Sequence, residues 1–396
     1  MSARVLVIGG GMVGLAFAIA VRRALPDATV SVLEARPFPD GNPDPLDTRA
    51  SALNLASRDI LLSWGVWGGI EPAAGVIRQI HVSNQRRFGS SVMTPADVGE
   101  DQLGFVAENH TIGRAFKAVA DALQIQLRAP AEVSRLLRSD DGVGVELAGG
   151  EALHADLVIV ADGSQSRLRE QLGVAVDIRR TGQRAVVANV SFAGQQQGTA
   201  FERFTKEGPL ALLPLVDSHQ GQQRFNLVWS MSEDKAHCLE AANDAEFMAE
   251  LQQAFGWRLG RIMAVGKRSA WTLDRVRARE QVRPGVVVAG NAAHGIHPVA
   301  GQGLNLSLRD AAMLGRIIAL AGEDGTPPGD PVILSRYESC IREDQDLTVG
   351  ATDMLSTLFT PRGVLMDLPR DVALASLDFV PVARRAIARR GTGKWA

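Results

Sequence analysis

The first 180 residues alternate between short apolar runs and stretches with helical periodicity. Val5 to Ile8, the run TVSVLE that ends at Glu34, and Leu157 to Val160 are short and mainly apolar, which is typical of buried strands. An alanine-rich stretch after the first run predicts a helix. This order predicts a parallel sheet with crossover helices. The segment from Phe38 to Asp47 is rich in Pro, Asp and Gly, which predicts a loop.

The pattern changes after about Thr181. The runs VVANVSF, AFERF, LALLPLV and FNLVWSM either alternate apolar with polar residues or are continuously apolar, which predicts short strands of an antiparallel sheet. A helix is predicted near Asp244 to Phe255, and the run KRSAWTLDRVRA then leads back to the first pattern. The chain is therefore predicted to have an α/β fold: a Rossmann-like domain with an inserted, mostly antiparallel β domain and a C-terminal helical segment.

The amino-terminal run VLVIGGGMVGLAFAIAVRRA contains a GxGxxG motif formed by Gly9, Gly11 and Gly14. The motif lies between a predicted strand and a predicted helix, and Glu34 ends the next strand twenty residues after Gly14. In this context the glycines permit a tight turn, the approach of a pyrophosphate and close packing of helix on strand, while the acid accepts hydrogen bonds from a ribose. The motif indicates dinucleotide binding, with Arg36 as a further candidate beside the adenosine.

The most informative segment is GNAAHGIHPVAGQGLNLSLRDA, from Gly290 to Ala311. It follows the apolar run VVVA and ends in a pattern that predicts a helix from about Gly303. Glycines leave the backbone bare, and a helix N-terminus offers unpaired N–H groups and a partial positive charge. These properties suit a cofactor that becomes anionic during turnover, such as reduced flavin. A glycine-rich turn without a ligand is the alternative interpretation.

A third motif lies in ADLVIVADGSQSRLR, where Asp162 and Gly163 follow a buried strand and Ser166 and Arg169 follow in turn. By itself this pattern is also typical of a plain strand, an Asp-Gly turn and a capped helix.

Together the three motifs resemble those of the flavin-dependent aromatic hydroxylases, the p-hydroxybenzoate hydroxylase fold group. The family pattern HPxxGxGxN corresponds here to His297, Pro298, Gly301, Gly303 and Asn305, and its DGxxSxxR pattern to the segment beginning at Asp162. Asn291 stands after Gly290 where the family usually has Asp, so one acceptor oxygen is kept and the charge is lost. The resemblance implies FAD as cofactor, bound also by Arg49 and Arg114.

Further runs are similar to the ubiquinone-biosynthesis hydroxylases, and most similar to the branch that acts on 2-octaprenyl-6-methoxyphenol. These runs are AFERF, GPLALLPL, VWSM, AFGWRLGRI and GKRSAW, and the similarity extends from Val5 to about Thr352. The sequence differs in carrying Gln195 to Gln197 before AFERF, where family members often have a His. Arg203, Phe204 and Pro214 lie in these runs and are the candidate substrate-binding residues.

The resemblance implies a hydroxylation in which NAD(P)H reduces FAD, dioxygen adds to give a flavin hydroperoxide, and its distal oxygen attacks the ring of a polyprenylated phenol. The amides of Gly303 and Leu304 would carry the negative charge of the flavin. The carbonyl of Pro298 would accept a hydrogen bond from the substrate hydroxyl. His297 is the second catalytic candidate, although a packed structural histidine is the plainer interpretation. The GxGxxG motif occurs once, so NAD(P)H would either bind transiently or be replaced by another electron donor.

The resemblance also divides the chain. The FAD-binding domain is expected at 1–72, 101–180 and 273–345, and the substrate domain at 73–100 and 181–272. Residues 346–396 are expected to form the C-terminal helical region. The run from Val382 to Trp395 is basic and partly amphipathic, so it is either a solvated helix or a contact with anionic lipid or a partner.

Composition narrows the classes of function. A net charge of −2 over 396 residues gives no electrostatic case for nucleic-acid binding. The two cysteines, Cys238 and Cys340, and the seven histidines show no metal-ligand spacing, so no metal site is predicted. Four glycines interrupt the amino-terminal apolar run, which argues against a signal peptide, and no run is long enough for a transmembrane helix. A cytoplasmic protein, at most peripheral at the inner face of the membrane, is expected.

Three alternatives remain open at this point. A flavin hydroxylase of a soluble aromatic would have a closed polar pocket and an arginine for a carboxylate, for which Arg203 is the candidate. A flavin-dependent prenyl reductase would reduce a double bond without oxygen. A flavin-bound, non-catalytic subunit of a quinone-biosynthesis complex would depend on protein partners.

Overall fold

The structure is a computed structural model that describes residues 2–38, 41, 44, 46, 49–85, 90–139, 142–194, 196–219, 221–295, 302–359 and 381–394. The strands in chain order are β1 Arg4–Ile8, β2 Thr29–Leu33, β3 Ala50–Leu53, β4 Gly75–Ile77, β5 Gln79–Asn84, β6 Ser90–Met93, β7 Gly104–Glu108, β8 Gln126–Arg128, β9 Val133–Ser139, β10 Gly142–Leu147, β11 Ala152–Ala155, β12 Leu157–Val160, β13 Val176–Arg179, β14 Gln183–Phe192, β15 Thr199–Phe204, β16 Pro209–His219, β17 Gln222–Ser232, β18 Ile262–Val265, β19 Ser269–Thr272, β20 Arg275–Ala278, β21 Val282–Arg283, β22 Val286–Val288 and β23 His294–Gly295.

The α-helices among these residues are α1 Met12–Ala24, α2 Leu55–Ser63, α3 Asn109–Ala122, α4 Arg167–Gln171, α5 Glu233–Ala241, α6 Asp244–Phe255, α7 Gln302–Glu323, α8 Pro331–Phe359 and α9 Pro381–Thr392. The prediction of a helix over 244–255 is confirmed by α6, and that of a helix from about Gly303 by α7. Helix α5 was not predicted, because its apolar positions are few and its sequence EDKAHCLEA resembles a polar loop.

The sheet predicted from the buried amino-terminal runs has the order β21-β22-β12-β1-β2-β8, with parallel pairing throughout except at β21. One face packs against α1 and α7 in the largest core cluster, which includes Val5, Phe17 and Leu314. The other face packs against the antiparallel sheet β9–β10–β11 through Val143 and neighbouring residues. Because helices and strands cover both faces, the strands are apolar on both sides, as the runs predicted.

The larger sheet has the order β18-β14-β17-β16-β15-β5-β6, and β19 pairs with β14. It is antiparallel except where β15 pairs in parallel with β5, from Thr199↔Gln79 to Phe204↔Asn84. The four predicted runs fall in β14, β15, β16 and β17, which confirms the mostly antiparallel prediction. One face of this sheet packs against α6, with Phe201, Phe225 and Phe255 in edge-to-face contact.

The opposite face of the larger sheet is turned toward the three-stranded sheet β3–β7–β4. Gly75 in β4 comes so close to β16 that a Cβ there would lie 2.2 Å from the carbonyl oxygen of Pro214. Arg224 of β17 forms an ion pair with Glu108 at the end of β7, with 3.2 Å between Nη1 and Oε1. These contacts place β3–β7–β4 against this face, and Asn305 at the start of α7 donates in turn to the carbonyl oxygen of Ala52 in β3.

Candidate functional site

The first glycine turn joins β1 to α1. Gly9 has φ +107°, and a Cβ there would lie 2.4 Å from the carbonyl oxygen of Ala161 at the end of β12. A Cβ on Gly14 would lie 1.9 Å from the carbonyl oxygen of Gly9, so this glycine allows α1 to pack on the turn. Gly11 precedes α1 at φ −70°, and nothing lies within 4 Å of its added Cβ. Two glycines therefore shape the turn, and the third leaves space beside the helix N-terminus.

Helix α1, which is described throughout, has no side-chain cap and no acidic residue in its first turn. Its first N–H groups therefore remain available to an anion, with the helix dipole favouring negative charge. The carboxylate of Glu34 accepts hydrogen bonds from the N–H of Gly10 (2.6 Å) and of Arg36 (3.0 Å). Because a carboxylate oxygen has two lone pairs, Glu34 holds the turn and keeps acceptor capacity for a ribose. The side chain of Arg36 is exposed beside it.

The second motif follows β12, next to the first turn. Gly163 has φ +99° with open space around its Cα, and Asp162 precedes it. Loss of hydration at this position raises the pKa of Asp162 above its ordinary value. The hydroxyl of Ser166 caps α4 by accepting from the N–H of Arg169 at 3.0 Å.

Arg169 connects the second motif to the third. Its side chain is buried, and its guanidinium donates to the carbonyl oxygens of Ala292 (3.0 Å) and Ser164 (3.3 Å). The arginine of DGxxSxxR therefore holds two glycine-rich segments together, a contact that the motif by itself did not predict.

The third motif begins with Gly290, where φ is +59° and a Cβ would lie 2.7 Å from Cγ1 of Val13 in α1. Asn291 is exposed beside it. Asn305 in the first turns of α7 is buried, accepts from the N–H of Asn54 (3.0 Å) and donates to the carbonyl of Ala52 (2.9 Å). The amide of the motif thus fixes the start of α7 against the junction of β3 and α2.

Gly303 and Leu304 lie in the first turn of α7, and an added Cβ on Gly303 would meet nothing within 4 Å. Three other residues predicted in this motif, His297, Pro298 and Gly301, lie outside the described residues. The described glycines form a bare backbone cradle between the ends of β1, β12 and β22, and the start of α7. A phosphate-containing cofactor with a planar ring, such as FAD, fits this combination of open glycines and unpaired helix N–H groups.

The two arginines assigned to flavin by resemblance lie on different elements. The guanidinium of Arg49 lies 4.9 Å from the ring centroid of Trp271 in β19, and its carbonyl accepts from the N–H of Asn109 at 2.7 Å. This contact joins the loop before β3 to the larger sheet. Arg114 is exposed on α3.

A buried polar cluster was not predicted. His294 Nε2 lies 2.9 Å from Oδ2 of Asp310, and Gln345 donates to the same oxygen at 3.0 Å. Gln345 also exchanges hydrogen bonds with Gln281, at 2.6 and 3.2 Å. The cluster ties the third motif to α7 and α8. The sequence holds one hint, because His294 and Asp310 both fall inside the segment from Gly290 to Ala311.

The three candidate substrate residues are not brought together. Arg203 points to the α6 face of the larger sheet, where its guanidinium lies near Gly256. Burial, and then the positive charge of Arg258, lower the pKa of Arg203. Pro214 is buried and pairs with Phe225, with its carbonyl against Gly75. Phe204 is buried at the end of β15 on the opposite face from Arg203.

That opposite face carries a row of partly exposed side chains in register across six neighbouring strands, from β5 to β19. The members are Val82, Glu202, Ala211, Val228, Val187 and Ser269. In the neighbouring rows on the same face, Ala200, Asn226 and Asn189 are buried on one side and Phe204, Ser230 and Ala185 on the other. The other members of these rows, Ile80, Leu213 and Pro209, are partly exposed, and Trp271 at the β19 end is exposed. We call the row from Val82 to Ser269 the trough. With strands about 4.8 Å apart, it is roughly 24 Å long.

Glu202 is the only titratable side chain of the trough. Desolvation by the surrounding protein raises the pKa of Glu202 from 4.5 to about 7. The other members are small or apolar, so the trough can accept an apolar molecule while presenting one group that gains or loses a proton near neutral pH.

Three further observations limit the chemistry and the setting of the protein. Among the described residues, no cluster of three or more His, Cys, Asp or Glu side chains could hold a metal ion. Cys238 and Cys340 are free and exposed, so neither is a buried core thiol. In the described part of the chain, no helix combines the length and apolar character needed to cross a bilayer.

Comparison with known proteins gives the same assignment as the geometry. Residues 2–340 match the family model described as an FAD binding domain. The chain is 34% identical over 400 residues to the ubiquinone hydroxylase UbiL of Rhodospirillum rubrum, covering 99% of this chain and 90% of that protein. It is 30% identical over 391 residues to the 3-demethoxyubiquinol 3-hydroxylase of Escherichia coli, covering 98% of both.

Among solved structures, p-nitrophenol 4-monooxygenase PnpA of Pseudomonas putida DLL-E4 is similar with a TM-score of 0.80. The match covers 100% of this chain and 99% of that one at 19% identity, so it shows a shared fold. The glycine cradle, the family match over most of the chain and the two relatives lead to one conclusion. The protein belongs to the FAD-dependent monooxygenase family that includes the ubiquinone hydroxylases.

Proposed function

We propose that this protein hydroxylates the aromatic ring of a polyprenylated phenol in ubiquinone biosynthesis, with NAD(P)H as the electron donor. The observation that carries the proposal is the trough, whose apolar members suit a phenol with a hydrocarbon tail. The names of the two relatives support the same substrate class. The finer assignment to the branch acting on 2-octaprenyl-6-methoxyphenol rests on the similar sequence runs alone.

Different parts of the protein have different roles in the proposed reaction. Bound FAD supplies the activation of dioxygen. The N–H groups at the starts of α1 and α7 would bind negative charge of the cofactor. Gly11, Gly163 and Gly303, where an added Cβ meets no atom within 4 Å, would let it approach the backbone. The buried side chains beside the trough, such as Ala200 and Phe204, would limit access of water to the ring of the substrate. We also propose the division of the chain into FAD-binding segments 1–72, 101–180 and 273–345 and substrate-binding segments 73–100 and 181–272.

The alternative of a soluble aromatic carboxylate receives less support. Such a substrate needs a cation in its pocket, whereas the one charged member of the trough is Glu202 and Arg203 lies on the other face of β15. Two carboxylates sharing the trough would repel each other. The prenyl reductase and the non-catalytic subunit are distinguished by experiment.

The test is product analysis with purified holoenzyme, a short-chain prenylated 2-methoxyphenol, NADPH and ¹⁸O₂. We expect one labelled oxygen in the ring and NADPH oxidation that depends on the phenol. A reduced side-chain double bond without label would support a reductase. A flavin spectrum without substrate-dependent NADPH oxidation, even with ubiquinone-biosynthesis partners added, would support a non-catalytic role.

We further propose that the enzyme meets its lipid substrate by peripheral contact through α9, where Arg385, Arg389 and Arg390 are exposed. The end of this segment is held to the body of the protein, because Lys394 pairs with Glu100 (2.7 Å) and Asp59 (3.3 Å). Replacing the three arginines by Gln should weaken binding to anionic vesicles and spare turnover of a short-chain phenol. Unchanged vesicle binding would contradict this part of the proposal.

A further inference from the structure

The trough contains a chemical asymmetry that the hydroxylase assignment does not explain. Five of its six side chains are aliphatic or a small hydroxyl, and the sixth is the carboxylate of Glu202. A carboxylate against apolar surface is unfavourable unless a partner or a protonated state compensates. In the described structure Glu202 is partly exposed to the trough, and desolvation is the only cause of its pKa shift. A phenol bound in the trough would give this carboxylate a hydrogen-bond donor.

The surroundings of Glu202 leave it isolated from the charged groups on the same face. Arg224 lies two rows away and is paired with Glu108. Arg49, over Trp271, lies at the β19 end of the sheet, four strands from β15. The adjacent Arg203 points to the α6 face. None of these described groups is directed at Glu202.

We propose that Glu202 is the catalytic base that receives the hydroxyl proton of the phenol, with the ring lying across β15 and β16. This inference rests on the proposed function, because it assigns a proton acceptor for that substrate class. The substrate O–H bond breaks and its electron pair remains on the phenolate oxygen. The proton forms the O–H bond of the Glu202 carboxylic acid and is returned to an oxygen of the product.

The proton transfer has a clear chemical purpose. A phenolate directs more electron density to its ortho and para carbons than a neutral phenol does, so it reacts faster with an electrophilic oxygen. A phenol has a pKa near 10, as in Tyr. A carboxylate with a pKa of about 7 accepts a proton from it about 300-fold more favourably than one at the ordinary 4.5. The apolar trough therefore makes Glu202 a useful base.

The position of Glu202 also orients the ring. Ala211 and Val228 continue the trough on one side of Glu202, and Val82 lies on the other. With the hydroxyl held at Glu202, substituents beside that hydroxyl would lie along these apolar side chains. The carboxylate thus fixes which ring carbon points away from the sheet.

The test compares Glu202→Gln, Glu202→Asp and wild type as FAD-loaded enzymes. Glu207→Gln is the matched control, since Glu207 lies in the turn after β15 and is 3.6 Å from the exposed Lys206. The probe is a short-chain prenylated 2-methoxyphenol. Its dissociation constant is measured from perturbation of the flavin absorption spectrum at pH 5 to 9, and its hydroxylated product is quantified over the same range.

In wild type and Glu207→Gln, the dissociation constant should fall and kcat/KM should increase as the pH is raised through about 7. The reason is that the carboxylate ionises over this range and can then accept the phenolic proton. Glu202→Gln should lose this inflection in binding and lose about 100-fold or more in kcat, the usual contribution of a general base. Glu202→Asp should recover the inflection with a smaller rate.

Each result decides a specific point. Equal pH profiles and rates in Glu202→Gln and wild type would overturn the role of Glu202 and leave the proposed function intact. A pH-dependent affinity that disappears in Glu202→Gln, without any hydroxylated product, would retain Glu202 as the phenol-binding base and overturn the proposed hydroxylation. Failure of wild-type holoenzyme to bind the phenol at any pH would overturn both.

Discussion

Single replacements of Gly14 and Gly11 by alanine should distinguish two reasons for glycine in this turn: close packing of α1 at Gly14 and space for the cofactor at Gly11. An alanine Cβ at Gly14 would lie 1.9 Å from the carbonyl oxygen of Gly9, so helix and turn must separate by about 1.1 Å even to reach 3.0 Å. Such an overlap costs about 3 kcal/mol. Alanine is a better helix former than glycine by about 1 kcal/mol. We therefore expect Gly14→Ala to lower the free energy of unfolding of the apoprotein by about 2 kcal/mol.

Gly11→Ala should behave differently. Gly11 has φ −70°, which alanine adopts readily, and its added Cβ meets no atom within 4 Å. The free energy of unfolding of the apoprotein should therefore change by less than about 0.5 kcal/mol. The new methyl group would nevertheless occupy the space beside the α1 N-terminus that a pyrophosphate needs. FAD affinity should fall at least about tenfold, which corresponds to about 1.4 kcal/mol.

The two variants are measured in the same way. FAD is removed, the apoproteins are unfolded in urea, and FAD is then titrated back with flavin fluorescence as the signal. Gly14→Ala should lose stability and affinity together, whereas Gly11→Ala should lose affinity alone. An apoprotein of Gly14→Ala as stable as wild type would refute the packing argument. Full FAD affinity in Gly11→Ala would show that the pyrophosphate does not approach this turn.

Three further changes test other parts of the structure. Because folding raises the pKa of Glu202 from 4.5 to about 7, the contribution of this group to stability is most favourable below pH 4.5 and is lost as the pH rises through 7. Glu202→Gln should thus raise the free energy of unfolding by up to about 3 kcal/mol at pH 8 and change it little at pH 5. Equal urea midpoints of the variant and wild type at pH 8 would contradict this. Arg169→Leu removes the donor to the Ala292 carbonyl, so the free energy of thermal unfolding of the holoenzyme should fall by about 2 kcal/mol and FAD should be released faster. An unchanged rate of FAD release would count against the link between the two motifs. Asn305→Ala leaves two buried backbone groups without their hydrogen-bond partner and should lower the free energy of unfolding by about 2 kcal/mol. Asn291→Ala, at an exposed position, should leave the free energy of unfolding unchanged in the same urea titration. Similar losses in the two variants would argue against the buried hydrogen bonds.

Local patterns predicted the elements of the fold well. Gly14 is required by its contact with the Gly9 carbonyl inside one strand–turn–helix unit, so sequence alone indicated it, whereas the contact of Gly9 with Ala161 became visible only in the fold. The buried strands and α6 were likewise visible from short-range periodicity. The trough was not predictable in this way, because it depends on the register of six strands drawn from distant parts of the chain. The motif AFERF drew attention to Arg203, whereas the parallel pairing of β15 with β5 places its neighbour Glu202 on the face turned toward the glycine motifs.

Because β5 pairs with β15, which is synthesised much later, β5 waits for its partner strand during protein synthesis. Asn84 ends β5, and Thr199, the first residue of its partner strand, is made 115 residues later. At the usual 5–20 residues per second, the ribosome needs about 6 to 23 s to supply that strand. During this interval the edge of the β5–β6 hairpin has no partner in the finished sheet, and such an edge is a template for aggregation. Slow translation or truncation before Phe204 should therefore reduce the yield of soluble protein, and chaperones that shield strand edges should restore it only when the whole of β15 is present.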